Sequence, residues 1–125
     1  KTRLIGINVS KDKSDFFKEK TVRLINKIKK YGYLINAEES RIEIYDDFQG
    51  PAYSVPSPED ILLINEVALK TGLILDGTYT AKAFRGMLEI SKNEFAGENV
   101  LFIHTGGLFS IFDNPGLFCR EKNKL

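Results

Sequence analysis

Hydroxyl side chains beside glycines, at the ends of short apolar runs, are the residues of this sequence best placed for chemistry. In Asn99-Val100-Leu101-Phe102-Ile103-His104-Thr105-Gly106-Gly107, four consecutive apolar residues leave no polar face. They predict a strand buried on both sides, as inside a parallel sheet. His104 and Thr105 bring polar atoms to its carboxyl end, where ligands bind in open α/β sheets, and the glycine pair would let a ligand approach the backbone. Leu108 to Phe112 could begin a short helix, and an anion at its start is one reading of Gly106-Gly107. A tight turn after a buried strand, with no ligand, gives the same residues. Leu73-Ile74-Leu75 followed by Asp76-Gly77 and Thr78-Tyr79-Thr80 repeats the arrangement: an apolar strand, a glycine turn, then a tyrosine and hydroxyls at a helix start. Two strand ends presenting hydroxyls favour a pocket more than either alone.

Other candidates carry less. Asp46-Asp47 has no third ligand nearby and reads as a solvated turn rather than a metal or acid–base pair. The single cysteine, Cys119, excludes an internal disulfide and lies in a polar tail without a neighbouring histidine. With one histidine and no supportable Ser–His or Cys–His pairing, a nucleophile triad has no basis. Walker lysine, dinucleotide fingerprint and metal-ligand spacing are missing, and no metal site is expected.

The elements that must position these residues follow from periodicity. Arg3 to Val9 predicts a strand. Ser10, Asp12 and Ser14 compete to cap a helix whose apolar face is Phe17, Thr21, Leu24, Ile28 and Tyr31. Lysines and Arg23 lie opposite and Gly32 ends it. Leu34 to Arg41 is irregular. Ile42, Ile44 and Tyr45 predict a second strand, completing a right-handed crossover with the first. In Gln49 to Pro58, Pro56 and Pro58 enforce extended backbone on the residues before them. This stiff loop carries Tyr53 to a defined place, either a site or a packing position against the next helix. Ser57, Pro58 and Asp60 form a strong helix start. Ile61, Leu62, Ile64, Val67, Ala68 and Leu69 make its apolar stripe, and Gly72 stops it. Ala81 to Ser91 predicts a further helix, with Phe84, Met87, Leu88 and Ile90 apolar.

At 125 residues and formal net charge +1, the chain has room for one core and no basic face suited to nucleic acid or an anionic membrane. No apolar run approaches the ~20 residues of a membrane span, and no signal-peptide pattern opens the sequence. A reduced, cytoplasmic setting fits. The only methionine is Met87, and a strand begins almost at once. The expectation is a piece of a longer protein, residues 1–112 forming the folded part and 113–125 a polar tail.

Three stretches together resemble one family: Gly50-Pro-Ala-Tyr-Ser-Val-Pro-Ser57, Ile74-Leu-Asp-Gly-Thr-Tyr-Thr-Ala-Lys-Ala-Phe84 and Asn99-Val-Leu-Phe-Ile-His-Thr-Gly-Gly107. In order, they look like the carboxyl-terminal part of the D-cysteine desulfhydrase and 1-aminocyclopropane-1-carboxylate deaminase family. These are pyridoxal-phosphate enzymes with the tryptophan-synthase β-type fold. The resemblance implies an α/β fold with a mostly parallel sheet and helices on both faces, the closing part of a larger cofactor-binding domain. It implies a small amino-acid substrate, a homodimer, and an amino-terminal part holding the Schiff-base lysine and the glycine-rich phosphate loop. Lys82 sits in no matching motif for that lysine. By the same resemblance, Tyr53 and Tyr79 flank the substrate as candidate acid/base groups. Thr80, Thr105 and Gly106 lie at the cofactor, the two threonines near the pyridine nitrogen, which replaces the anion reading of the glycine pair.

The cyclopropane-opening deaminases carry Glu after the tyrosine and Leu before the glycine pair. Thr80 and Thr105 at those places look more like the desulfhydrase side. A carboxylate can hold a protonated pyridine nitrogen, whereas a hydroxyl leaves it largely neutral. Thr78-Tyr79-Thr80-Ala81 stands where Val-Tyr-Thr-Gly is usual, and Phe112-Asp113-Asn114 departs from the usual aromatic finish. A different class, a stand-alone small-molecule-binding or regulatory α/β module without catalysis, is the competing expectation.

Overall fold

The computed structural model describes residues 2–35, 41–113 and 115. Strand β1 (Leu4–Ile7), helix α1 (Ser14–Lys30) and strand β2 (Ile42–Tyr45) form a parallel crossover, Leu4 opposite Ile42 and Ile7 opposite Tyr45. Helices α2 (Pro58–Thr71) and α3 (Thr80–Glu94) follow, and a 3-10 helix (Leu108–Asp113) occupies the place expected for a short helix. Cys119, most of the tail from 113 and the centre of the 34–41 stretch lie outside the described residues.

None of the three competing hydroxyl and carboxyl side chains caps α1. Lys13 is the N-cap and makes no side-chain cap bond. The acceptor comes from the far strand: Asp46, just past β2, takes the Ser14 N–H on Oδ2 at 3.1 Å. Its Oδ1 accepts from Asn8 Nδ2 at 2.7 Å, and Asn8 also donates to the Asp12 carbonyl. Asp46 is therefore a helix cap delivered across the crossover, rather than the merely solvated turn residue expected. The Asn8 bond, then the Ser14 bonds, hold its carboxyl below the usual carboxylate range. A depressed folded-state pKa contributes stability above the unfolded value and loses it as pH falls through the folded one. Asp46→Ala should lower unfolding stability by about 1 kcal/mol, the ordinary value of a lost cap. The difference from the parent should shrink in acid, where the parent loses the same charge; denaturant melts at neutral and acid pH measure both.

The packed face of α1 is rotated from the expected one. Phe17, Thr21 and Ile28 are half-buried with Val22 and Ile25, while Leu24 and Tyr31 face solvent. Helix α2 starts as its sequence dictates. Ser57 Oγ accepts from Asp60 N–H at 3.2 Å, Asp60 Oδ2 accepts from Ser57 N–H at 2.9 Å, and Pro58 fills the first helical position. Gly72, at φ 75°, closes the helix in the left-handed region.

The core joins Ile64 and Val67 of α2 to Leu75 and to Ala81 of α3, with Leu63, Leu73, Phe84 and Phe102 packed around them. Helix α3 crosses β1 at Gly86, where a Cβ would lie 3.0 Å from both Ile7 Cδ1 and Phe48 Cδ2. The helix-interior glycine thus serves close approach, offsetting its poor helix propensity.

Two expected strands are not paired. Leu73–Leu75 and Asn99–Ile103 run without strand partners among the described residues. Leu75 is buried, but Ile74 is exposed. In the second run only Phe102 turns inward, its ring 5.0 Å from that of Phe84, while Val100, Leu101 and Ile103 are exposed. An all-apolar run marks a segment needing cover on both faces, and here one face is covered. Among the described residues, the parallel pairing is β1 with β2.

Candidate functional site

The two apolar segments end side by side although no ladder joins them. His104 Nδ1 accepts from Gly106 N–H at 3.1 Å, leaving Nε2 to donate to the Ile74 carbonyl at 3.0 Å. The single histidine is thus a clasp between segments rather than a base. Three residues further on, Gly107 has φ +90°, and a Cβ there would lie 2.6 Å from Asp76 Oδ2. Gly107 thus serves the approach of its own chain to a buried carboxylate, whereas a Cβ at Gly106 would meet open space.

Asp76 organises the site. It is 0% exposed. Its Oδ1 accepts from Thr78 and Tyr79 N–H at 2.8 Å each, and its Oδ2 accepts from Thr80 N–H at 2.9 Å and Thr80 Oγ1 at 2.6 Å. The carboxylate satisfies the free amides at the start of α3, whose N-cap Tyr79 makes no side-chain cap. Thr80 is 1% exposed, and Asp76 N–H donates back to its hydroxyl at 2.7 Å. The Thr80 proton is therefore committed to Asp76, while Thr105 is exposed. Asp76 was absent from the sequence-level candidates, although an aspartate four residues before a helical threonine is the signal that could have revealed it.

Tyr53 and Tyr79 do come together. Their hydroxyls share a hydrogen bond, and the rings meet edge to face with centroids 6.0 Å apart. Tyr53 is 60% and Tyr79 42% exposed, so both phenols can reach a small molecule. A second rung, Ser54 Oγ to Thr78 Oγ1 at 3.1 Å, ties the Tyr53 loop to the turn before α3. The bond to Tyr53, followed by desolvation and nearby negative charge, raises the Tyr79 pKa above an ordinary tyrosine. The shift keeps the proton on the phenol, as in an ordinary tyrosine at neutral pH; the accessible hydroxyl and its fixed partner are what place that proton for transfer. Beside Tyr53 a cleft of about 180 Å³ opens between Val9–Lys11 and Gln49–Ala52.

Two buried charges were also missed. Asp60, 0% exposed, receives Arg85 Nε at 2.8 Å besides its capping role. Lys82, on the first turn of α3, is fully buried, and burial lowers its pKa. Among the described residues, no three His, Cys, Asp or Glu side chains gather as metal ligands. None of the described helices is long and apolar enough to cross a membrane.

The parallel crossover, the helices and the paired phenols place the chain in an α/β class already solved. A crystal structure of an ACC deaminase homologue superposes with a TM-score of 0.76 at 28% identity, over 93% of this chain and 34% of that one. In sequence, a Thermotoga maritima protein named "Putative 1-aminocyclopropane-1-carboxylate deaminase" is 48% identical over 109 residues, 87% of this chain and 34% of that protein. One of the same name from Pyrococcus abyssi is 40% identical over 110 residues, 87% of this chain and 32% of that protein. No family model matches. The chain is related to the family that bears the 1-aminocyclopropane-1-carboxylate deaminase name, and it spans about a third of the length of these relatives.

Proposed function

We propose that this chain is the carboxyl-terminal part of the cofactor-binding domain of a pyridoxal-phosphate enzyme. The enzyme would release ammonia and a 2-oxo acid from a small amino acid, with sulfide where the substrate is D-cysteine. The observation that carries this reading is the hydrogen-bonded, solvent-accessible pair Tyr53–Tyr79 at the start of α3. That the chain belongs to a larger protein is supported by apolar side chains such as Val100, Leu101 and Ile103, exposed on a segment without strand partners among the described residues.

The residues present fit one side of such a cofactor. Thr105, exposed beside the glycine pair, would face the ring nitrogen, and the two phenols would face the substrate. Lys82 is not placed to serve as the covalent anchor, since its ammonium is buried against carbonyls; in this reading the anchor and the phosphate loop come from the amino-terminal part. Pyridoxal phosphate, when bound, would supply a sink for the negative charge left at the substrate α-carbon. Tyr79 holds a proton on its Oη, and Tyr53 orients it and can replenish it through the shared bond. Thr80 keeps its proton on Asp76 and offers no carboxylate at its position. That favours elimination of a thiol over opening of an unactivated ring, because the weaker sink suffices for the former.

The protein carrying this chain in full should, with pyridoxal phosphate, release sulfide and pyruvate from D-cysteine faster than it opens 1-aminocyclopropane-1-carboxylate. The 125-residue chain alone should turn over neither. Ready ring opening with no attack on D-cysteine overturns the substrate assignment. No cofactor uptake and no turnover by the full protein would favour a binding module instead.

A further inference from the structure

Lys82 is a charged residue buried at a cost. It is 0% exposed on the first turn of α3, a helix start with no acidic residue, where a cation is opposed by burial and by the helix dipole. The carboxylates near enough to favour its charge, Asp60 and Asp76, already hold Arg85 Nε and the start of α3, and Arg85 itself opposes it. An apolar side chain would fill this space at lower cost. What it could not do is donate. Lys82 Nζ lies 2.8 Å from the Gln49 carbonyl and 3.1 Å from that of Ala52, gripping both ends of the Gly50-Pro51 turn. Gly50, at φ +73°, leaves the room, since a Cβ there would be 3.1 Å from Lys82 Cε and Nζ.

The Ala52 carbonyl also receives Val55 N–H at 3.2 Å, closing a four-residue turn. Tyr53 is its second residue, and Ser54, at φ 59°, its third. Tyr53 therefore projects from a turn whose base is clamped by a residue of the helix that begins beside Tyr79. We propose that Lys82 is a positioning residue: by clamping the Gln49 and Ala52 carbonyls it sets the Tyr53 hydroxyl against that of Tyr79. The geometry of the clamp stands by itself; its importance for turnover rests on the function proposed above.

The test is a pH titration of ¹³Cζ-labelled tyrosines by NMR in the full protein, with Tyr53→Phe and Tyr79→Phe used for assignment. Tyr79 should deprotonate above an ordinary tyrosine in the parent. It should move down equally in Tyr53→Phe and Lys82→Met, and no further in the double variant. Gly50→Val crowds the Lys82 side chain from the loop side, with the sequence of α3 unchanged, and should also lower it. A parent Tyr79 that titrates as an ordinary tyrosine, or a parental titration in either folded clamp variant, overturns the proposal. On D-cysteine, Lys82→Met should lower kcat by about 10–100-fold, as misplacement of a reacting group does, with little change in KM. A parent that turns over neither substrate defeats the functional reading, and the titration still decides the clamp.

Discussion

Replacing Tyr79 by phenylalanine in the full protein should cut turnover by about 10²–10⁴-fold, the range for a lost acid–base group, while cofactor absorbance survives. The ring keeps its packing, because the substitution removes only the hydroxyl that meets Tyr53. What is lost is the proton of an accessible phenol held in fixed geometry by its bond to Tyr53. The turnover of Tyr79→Phe at saturating D-cysteine, beside its visible spectrum, is the measurement. Unchanged turnover would make Tyr79 a packing residue and leave the pair without a chemical role.

The largest loss of stability should come from Asp76→Ala. Removing the carboxylate leaves the Thr78, Tyr79 and Thr80 amides and the Thr80 hydroxyl without their acceptor, around a position closed to solvent. At roughly 1–3 kcal/mol for each unsatisfied buried group, partly relieved by water entering the space, the loss should exceed about 3 kcal/mol. Asp76→Asn keeps one acceptor oxygen and should fall between. The midpoint of denaturant unfolding, with the slope held constant, gives the comparison. A loss below about 1 kcal/mol, no more than one ordinary hydrogen bond, would mean that α3 starts without this carboxylate.

What was legible in the sequence was local. Ser57, Pro58 and Asp60 lie within four positions, and their spacing alone fixes a helix start, which the structure reproduces atom for atom. The crossover of β1, α1 and β2 was readable for the same reason, each element carrying its own period. Asp46 was misread because its partners, Ser14 and Asn8, are more than thirty residues away. Lys82 and the Asp60–Arg85 pair escaped for the same cause. The runs at Leu73–Leu75 and Asn99–Ile103 show a different limit: apolar residues state that cover is needed and say nothing of where it comes from. The convergence of Tyr53 on Tyr79 came through family resemblance; spacing left Tyr53 undecided between a site and a packing position.

The cap on α1 has a consequence for how the chain acquires its structure. A side chain at the residue just before the helix could cap it as soon as that turn forms. Asp46 can do so only after the chain has travelled the whole helix, returned, and aligned beside β1. The strands pair through their own ladder, whereas the first turn of α1 gains this acceptor only once they have done so, which ties the start of the helix to the sheet. The entropy spent on closing the long connection is offset where the ladder and this cap form together.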